Sequence, residues 1–248
     1  MIYSAALLLF RKQERNYYNY NIFHIEMKKK SDLEQHIGKF SIIDKLSEEL
    51  FIPSEWKYLV DLSSKERVKA VIDLWKVNFQ AEFSVLLEAF RKHLISIELI
   101  GINNFVKMLY IFQNPKGDYL HYIGEPPLLP HQQPKTISGF NWPVKFLDFY
   151  TQVHNGWYEI VSHSLGLMPL EEVFLLSKNE WGILEEISID FSLDKVLAVF
   201  SNSAGGYLCW NFNSSLPSGL VWWDDEEPDF VDFWDILDEW SAMGIQDY

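Results

Sequence analysis

The spacing of the apolar residues changes along this chain, and the change limits the folds open to it. From Lys65 to Leu94, apolar side chains recur every three or four residues, as on the buried face of a helix. Later apolar runs are short, alternate with polar residues and stop at turn residues, as in strands. We therefore expect an α+β fold that opens with a helical region from Asp32 to about Gly101.

A β-hairpin and a proline-rich segment are expected next. The hairpin strands run from Phe105 to Phe112 and from Tyr119 to Ile123, and the sequence Asn-Pro-Lys-Gly between them suits a type I turn. Residues 124–138 hold four of the ten prolines, which disfavour both helix and central strand. We expect a linker at 125–137 between an N-terminal region, 32–124, and a C-terminal domain, 138–248. Residues 1–31 are expected to form a poorly ordered extension, with Met1 or Met27 as its start.

The C-terminal region is predicted to run helix, strands, helix. In "NWPVKFLDFYTQVHNG", Pro143 suits the first turn of a helix and Asn155-Gly156 suits its end. "VLAVFSNSAGGYLCWNFN" predicts two strands around a turn, and "GLVWW" predicts a third. Since neighbouring strand residues point to opposite faces, only one of Trp222 and Trp223 should be buried, and we expect it to be Trp222.

The last helix is expected to be amphipathic, with Gly244 at its end. Its buried stripe is predicted to comprise Phe230, Phe233, Trp234 and Leu237. Its outward face is predicted to be acidic and to comprise Asp232, Asp235, Asp238 and Glu239.

These phrases, in this order, resemble the SUKH superfamily. "WPVKFLDFYTQVHNG" is similar to the family's signature helix, "VLAVFSNSAGGYLCWNFN" to its central hairpin, and "GLVWWDDEEPDFVDFWDILDEW" to its last strand, acidic loop and closing helix. The resemblance covers about residues 138–243. It implies an antiparallel sheet with flanking helices, and it implies binding rather than catalysis: bacterial members are mostly immunity proteins that neutralise toxins, often nucleases, and fungal relatives are regulatory scaffolds. The chain departs from the family's hairpin pattern at Tyr207 and Asn211, where acids are common.

Charge is divided unevenly between the two parts of the chain. The net charge is -14, and the part from Ser138 onward carries three lysines, no arginine and nineteen acidic residues. Such a field repels nucleic acid and anionic membranes and attracts basic protein surfaces. No apolar run approaches the roughly 18 residues that a membrane span needs, and Cys209 alone allows no internal disulfide. We expect a cytoplasmic protein whose partner is a basic protein, not nucleic acid or membrane.

The sequence patterns of catalytic, metal and cofactor sites are weak or missing here. His154 and His163 lack the spacing of metal ligands, Cys209 has the setting of a buried strand residue, and no glycine-rich phosphate loop occurs. We therefore expect no enzyme, no metal and no cofactor. The partner-binding residues are expected to be Trp223, Asp224, Asp225, Glu226, Glu227, Asp232, Asp235 and Glu239. Three functions stay open: toxin neutralisation by an immunity protein, a regulatory scaffold without a toxin, and a hydrolase with an unrecognised cleft.

Overall fold

The computed structural model describes residues 30–47, 49–129, 132 and 137–246. The chain forms two compact units, Met1–Phe40 and Ser41–Tyr248. In the first unit, residues 30–37 form helix α1, and the Lys30 ammonium lies 5.1 Å from the centre of the Phe40 ring. The extension expected at 1–31 lies outside the described residues, except for residues 30 and 31, which are helical.

The second unit is built on one antiparallel sheet. Its strands are β1 (Ser41–Ile42), β2 (Leu94–Ile102), β3 (Phe105–Gln113), β4 (Tyr119–Gly124), β5 (Trp157–Glu159), β6 (Ser164–Leu167), β7 (Phe174–Leu175), β8 (Val196–Ser201), β9 (Tyr207–Asn211), β10 (Ser218–Trp222) and β11 (Asp229–Val231). They lie in the order β1-β2-β3-β4-β5-β6-β8-β9-β10-β11, and β7 pairs separately with β8. Within the described residues, β1 and β11 are the ends of this order.

Helices cover one face of the sheet, and short turns cover part of the other. The helices are α2 (Ser64–Phe79), α3 (Ser84–His93), α4 (Val144–Gln152) and α5 (Phe233–Gln246), and their apolar faces bury a large core rich in aromatic side chains. A smaller core on the opposite face joins β8, β9 and β10 to short helical turns, among them Leu176–Lys178 and Gly182–Glu185. The expected α+β class, with helices flanking an antiparallel sheet, is confirmed. No described helix has the length and hydropathy needed to cross a bilayer.

The expectation of helix from Asp32 to about Gly101 is wrong for its C-terminal end and for most of the stretch between α1 and Ser64. Helix α3 ends at His93, and Leu94–Ile102 is strand β2. Apolar residues in this stretch fit either period, but its isoleucines favour a pleated strand. The pair Asn103-Asn104 indicates a hairpin at this point of the sequence. In the structure these residues have φ of 48° and 69°, the left-handed geometry of a two-residue hairpin turn. Before Ser64, the described residues form α1, β1 and a 3-10 run at Ser54–Asp61 instead of a continuous helix.

The predicted hairpin is confirmed as β3 and β4. Gly117 N–H donates to Asn114 O at 2.9 Å, which closes the turn expected from the sequence. The described residues of the proline-rich segment, 125–129, 132 and 137, include no strand and no α-helix. The sheet nevertheless continues across the segment, because β4 pairs directly with β5. Whether residues 138–248 form a domain of their own stays a prediction.

The predicted helix before Gly156 is confirmed as α4, with Pro143 immediately before its first residue. The closing helix differs from its prediction at both ends. Phe230 lies in strand β11 and is 57% exposed, so it is not part of a buried helical stripe. Helix α5 runs to Gln246, through Gly244, where an added Cβ would approach the Tyr122 hydroxyl to 2.6 Å. Gly244 therefore permits close packing inside the helix and does not end it.

A buried chain of hydrogen bonds joins α2, β3 and the end of α4. Trp75 Nε1 donates to the Tyr110 hydroxyl at 3.1 Å, and Tyr110 Oη lies 2.6 Å from His154 Nε2. On the other side of the ring, His154 Nδ1 lies 3.0 Å from Glu125 O. A neutral imidazole with its proton on Nδ1 satisfies all these groups, because Tyr110 then donates to Nε2. His154 is therefore a structural residue of the core.

Tyr110→Phe should destabilise the fold by about 1–3 kcal/mol, since it leaves the Trp75 N–H and His154 Nε2 buried without partners. The free energy of unfolding measured in urea tests this. Tyr58→Phe, at a 52% exposed tyrosine, is the matched control and should change stability by less than about 0.5 kcal/mol. Equal effects of the two substitutions would contradict the network.

The same histidine makes stability depend on pH. Burial lowers the pKa of His154 from 6.5 to about 3. The unfolded chain therefore takes up this proton below about pH 6.5 while the folded chain does not. The stability contributed by neutral His154 is complete above that pH and is lost toward pH 3, by up to about 1.4 kcal/mol per pH unit. We expect His154→Gln to have a shallower loss of unfolding free energy on acidification; an unchanged slope would refute this assignment.

Candidate functional site

The acidic residues Asp224–Glu227, here called the acidic loop, lie between β10 and β11. All four are exposed. Strand β10 is buried on both faces, whereas β11 is short and carries Asp229 at its start, so the loop leaves the core at one end of the sheet. The side chains of Asp225, Glu226 and Glu227 make no hydrogen bond or ion pair with the residues that the structure describes.

Asp224 has a structural contact that its neighbours lack. Its Oδ1 accepts a hydrogen bond from Gly182 N at 2.9 Å, and its carbonyl oxygen accepts one from Ile183 N at 2.7 Å. These two bonds fasten the acidic loop to the short helical turn at Gly182–Glu185. Asp224 therefore positions the loop, while the three acids after it face water.

The tryptophan pair before the loop divides as expected. Trp222 is fully buried, and its ring centre lies 5.6 Å from that of Trp181 in the smaller core. Trp223 points to the other face, is half-buried, and lies against Trp240 of α5 at 6.1 Å between ring centres. An aromatic ring that is supported on one side and accessible on the other suits a binding surface.

On the last helix, the structure separates the predicted acids into two groups. Asp232 is exposed and caps α5, because its Oδ1 accepts from Trp234 N at 2.9 Å and Asp235 N at 3.2 Å. Asp235 and Glu239 are exposed one turn apart, and neither has a partner among the described side chains. We call Asp232, Asp235 and Glu239 the acidic helix face.

Asp238, which was expected on this outward face, is buried instead. It caps helix α3: Oδ1 accepts from Leu86 N at 2.7 Å, and Oδ2 from Val85 N at 2.8 Å and Ser84 Oγ at 3.2 Å. Burial raises the pKa of Asp238, and these hydrogen bonds oppose the rise. The error arose because helical periodicity alone does not reveal that the N-terminus of another helix packs against this position.

Few lysines accompany the acidic loop and the acidic helix face in the C-terminal part of the chain. Lys145, one of the three lysines after Ser138, donates to Asn78 O, pairs with Glu82 and lies 4.7 Å from the centre of the Phe79 ring. Lys178 and Lys195 are exposed.

Sequence reasoning missed a concave site near the other end of the sheet. It encloses about 610 Å³, and its lining includes Phe105, Lys107, Glu125, Asn155 and Glu171. Lys107 Nζ lies 2.6 Å from Glu125 Oε1, which also accepts from the Tyr158 hydroxyl at 3.1 Å. These residues are far apart in the sequence, so no local pattern could have revealed their association.

A second cavity, of about 920 Å³, shares Phe51, Asn103 and Phe105 with the first and is otherwise lined mainly by residues on either side of Phe51. Neither cavity includes a residue of the acidic loop or the acidic helix face. Cys209 is fully buried, and burial raises the pKa of its thiol, so it is a core residue. No cluster of three or more metal-ligating side chains occurs within the described ranges.

Asp238→Ala should destabilise the protein by about 1–2 kcal/mol, because it leaves backbone N–H groups at the start of α3 without their cap. Asp235→Ala, one turn earlier on α5, is the matched control and should change stability by less than about 0.5 kcal/mol. Urea unfolding of both variants gives the comparison. If Asp238→Ala left the free energy of unfolding unchanged, the cap would be refuted and Asp238 would belong to the outward acidic face, as the sequence predicted.

Comparison with known proteins identifies no relative. No protein-family model matches the chain, and neither a curated protein nor a solved structure does so. The geometry of the acidic surface and of the cavity, together with the distribution of charge, is therefore the basis for any functional assignment.

Proposed function

We propose that this chain is an immunity-type binding protein that neutralises a nuclease toxin by direct contact through its acidic surface. One observation carries the proposal. Asp225, Glu226, Glu227, Asp235 and Glu239 are exposed carboxylates without partners among the described residues, on a loop and a helix attached to the sheet. Carboxylates held outward in this way are free to meet a basic surface.

The charge of the chain favours such a partner. Residues from Ser138 onward carry a formal charge of -16, against +2 for the first 137 residues. A field of one sign raises the rate of encounter with a surface of opposite sign and disfavours partners of like sign. This argues for a basic protein and against nucleic acid.

A nuclease is the class of toxin that fits this chemistry best. An enzyme that binds a polyanion does so mainly through lysine and arginine contacts to phosphates. A protein that presents closely spaced carboxylates competes for those same side chains. The resemblance of residues 138–243 to the SUKH superfamily supports the same conclusion, since its bacterial members are mostly toxin-neutralising proteins.

Trp223 is the expected aromatic anchor of the interface. It stands directly before the acidic loop and is held from behind by Trp240. Interfaces commonly derive much of their affinity from a few such aromatic side chains surrounded by polar contacts. The acids would then set the rate of association, and Trp223 would slow dissociation.

A regulatory scaffold would use the same surface without a toxin. Co-purification of the chain with a toxin-like protein encoded by the adjacent gene would favour the immunity function over the scaffold. A hydrolase is favoured only by the cavity lined by Lys107 and Glu125, where the Tyr158 hydroxyl also donates to Glu125. Turnover of generic ester, phosphate or glycoside substrates that is lost in Glu125→Gln would support it.

Reversing Asp225, Glu226 and Glu227 together to lysine should slow association with the toxin domain by at least about tenfold at low ionic strength, with a smaller effect at high salt. Asp224 is left unchanged because its contact with Gly182 positions the loop. The measurement is association kinetics by surface plasmon resonance over a salt series.

A control variant separates local charge from total charge. Glu55, Asp61 and Asp118 are also exposed; the first two lie in the 3-10 run and Asp118 lies in the turn between β3 and β4. Their reversal to lysine changes the net charge by the same amount and should slow association less. Equal slowing in the two triple variants would show that total charge, not the acidic loop, governs encounter, and unchanged kinetics in both would remove the proposed interface.

A further inference from the structure

The edge of the sheet at β11 has backbone groups that no described strand pairs. Strand β11 pairs with β10 on one side and is the end of the strand order on the other. An unpaired strand edge offers N–H and C=O groups to an added strand, which is a common way for proteins to bind an extended segment. The acidic loop and the acidic helix face lie immediately before and after this edge.

The alternation of hydrogen bonds across the sheet identifies which groups are available. Phe212 N–H donates to Lys195 O at 2.8 Å, so this pair, one residue beyond the paired ends of β9 and β8, is hydrogen-bonded. Hydrogen-bonded and non-bonded pairs alternate along an antiparallel ladder. If the N–H and C=O of one residue bond to the strand on one side, those of the next residue point to the strand on the other side. The registers of β8, β9 and β10 then assign Leu220 to hydrogen bonding with β9.

It follows that Gly219 and Val221 bond to β11, opposite Val231 and Asp229. Phe230 lies between those two positions, so its N–H and C=O point away from β10. The ring of Phe230 is 57% exposed and lies 5.8 Å from that of Phe191. This edge residue therefore presents one donor, one acceptor and an apolar side chain to an incoming strand.

Charge determines which strand this edge admits. Strand β11 begins with Asp229, is preceded by Pro228 and is followed by Asp232. Short length, proline and charge are devices that keep an edge from pairing with copies of itself, because like charges repel. A segment with basic residues is attracted by these acids and not repelled, so the charge that prevents self-pairing leaves the edge open to a basic partner.

We infer that β11 binds an extended basic segment of the partner as an added β-strand, with its hydrogen bonds made to the backbone of Phe230. This inference rests on the proposed function and adds its mode of recognition. Side chains alternate along β11, with Asp229 and Val231 on one face and Phe230 on the other. The bound segment should alternate in the same way, with basic residues beside Asp229 and apolar residues over the rings of Phe230 and Phe191.

The probe is the peptide acetyl-Thr-Lys-Val-Lys-Val-Lys-Thr-amide, added to the ¹⁵N-labelled full chain and observed by NMR. At about 1 mM peptide we expect the Phe230 amide resonance to shift and its hydrogen exchange to slow, because that N–H becomes hydrogen-bonded. The peptide with glutamate in place of lysine is the control and should leave both unchanged. Shifts that leave the Phe230 amide unprotected, or equal binding of both peptides, would overturn the inference.

Two substitutions test the same mode with the protein partner. Phe230→Pro removes the outward N–H without removing a bond to β10, whereas Phe230→Thr keeps the N–H and removes the ring. We expect the proline variant to lose at least about tenfold in affinity for the toxin domain and the threonine variant to lose clearly less. Thermal unfolding checks that both variants are folded.

The outcomes separate this inference from the proposed function. If reversal of the acidic loop weakens toxin binding while Phe230→Pro and Phe230→Thr bind alike, strand addition is overturned and the proposed function stands. If no toxin domain binds but the lysine peptide protects the Phe230 amide, the edge is a binding site and the toxin assignment fails.

Discussion

The pairing of β4 with β5 is the contact on which the architecture of residues 41–246 depends. It joins strands that stand on either side of the proline-rich segment, through Tyr122 opposite Glu159 and Gly124 opposite Trp157. Gly124 has to lack a side chain, because an added Cβ would lie 2.4 Å from the ring of His154. The buried histidine that follows α4 thus occupies the space that this glycine leaves, and pairing and packing stabilise each other.

The molecule has two surfaces that are separate in position. The two cavities lie near β2, β3 and β4, whereas the acidic loop and the acidic helix face lie beside β10 and β11 at the far end of the strand order. A substitution on one surface therefore does not directly contact the other surface. In the cavity, Glu125 is held by both Lys107 and Tyr158, so its carboxylate is committed to internal contacts.

Residue patterns predicted those features that depend on near neighbours in the chain. The hairpin of β3 and β4, helix α4 and the opposite orientation of Trp222 and Trp223 follow from turn residues and side-chain alternation. Features that depend on distant packing were not predictable in this way. The capping of α3 by Asp238 and the association of Lys107 with Glu125 arise only when the sheet brings remote segments together. Phe230 has a helical spacing to Phe233, yet pairing with β10 places it in a strand.

The acids around β11 also differ in what they contribute to the free protein. Asp232 and Asp235 lie at the N-terminus of α5, where backbone N–H groups and the helix dipole favour negative charge. The side chains of Asp225 and Glu227 have no such compensation among the described residues. In the proposed complex, a basic partner would supply the opposite charge that these carboxylates lack in the free protein. Because salt screens interactions between exposed charges, we expect the rate of the proposed association to fall as ionic strength rises.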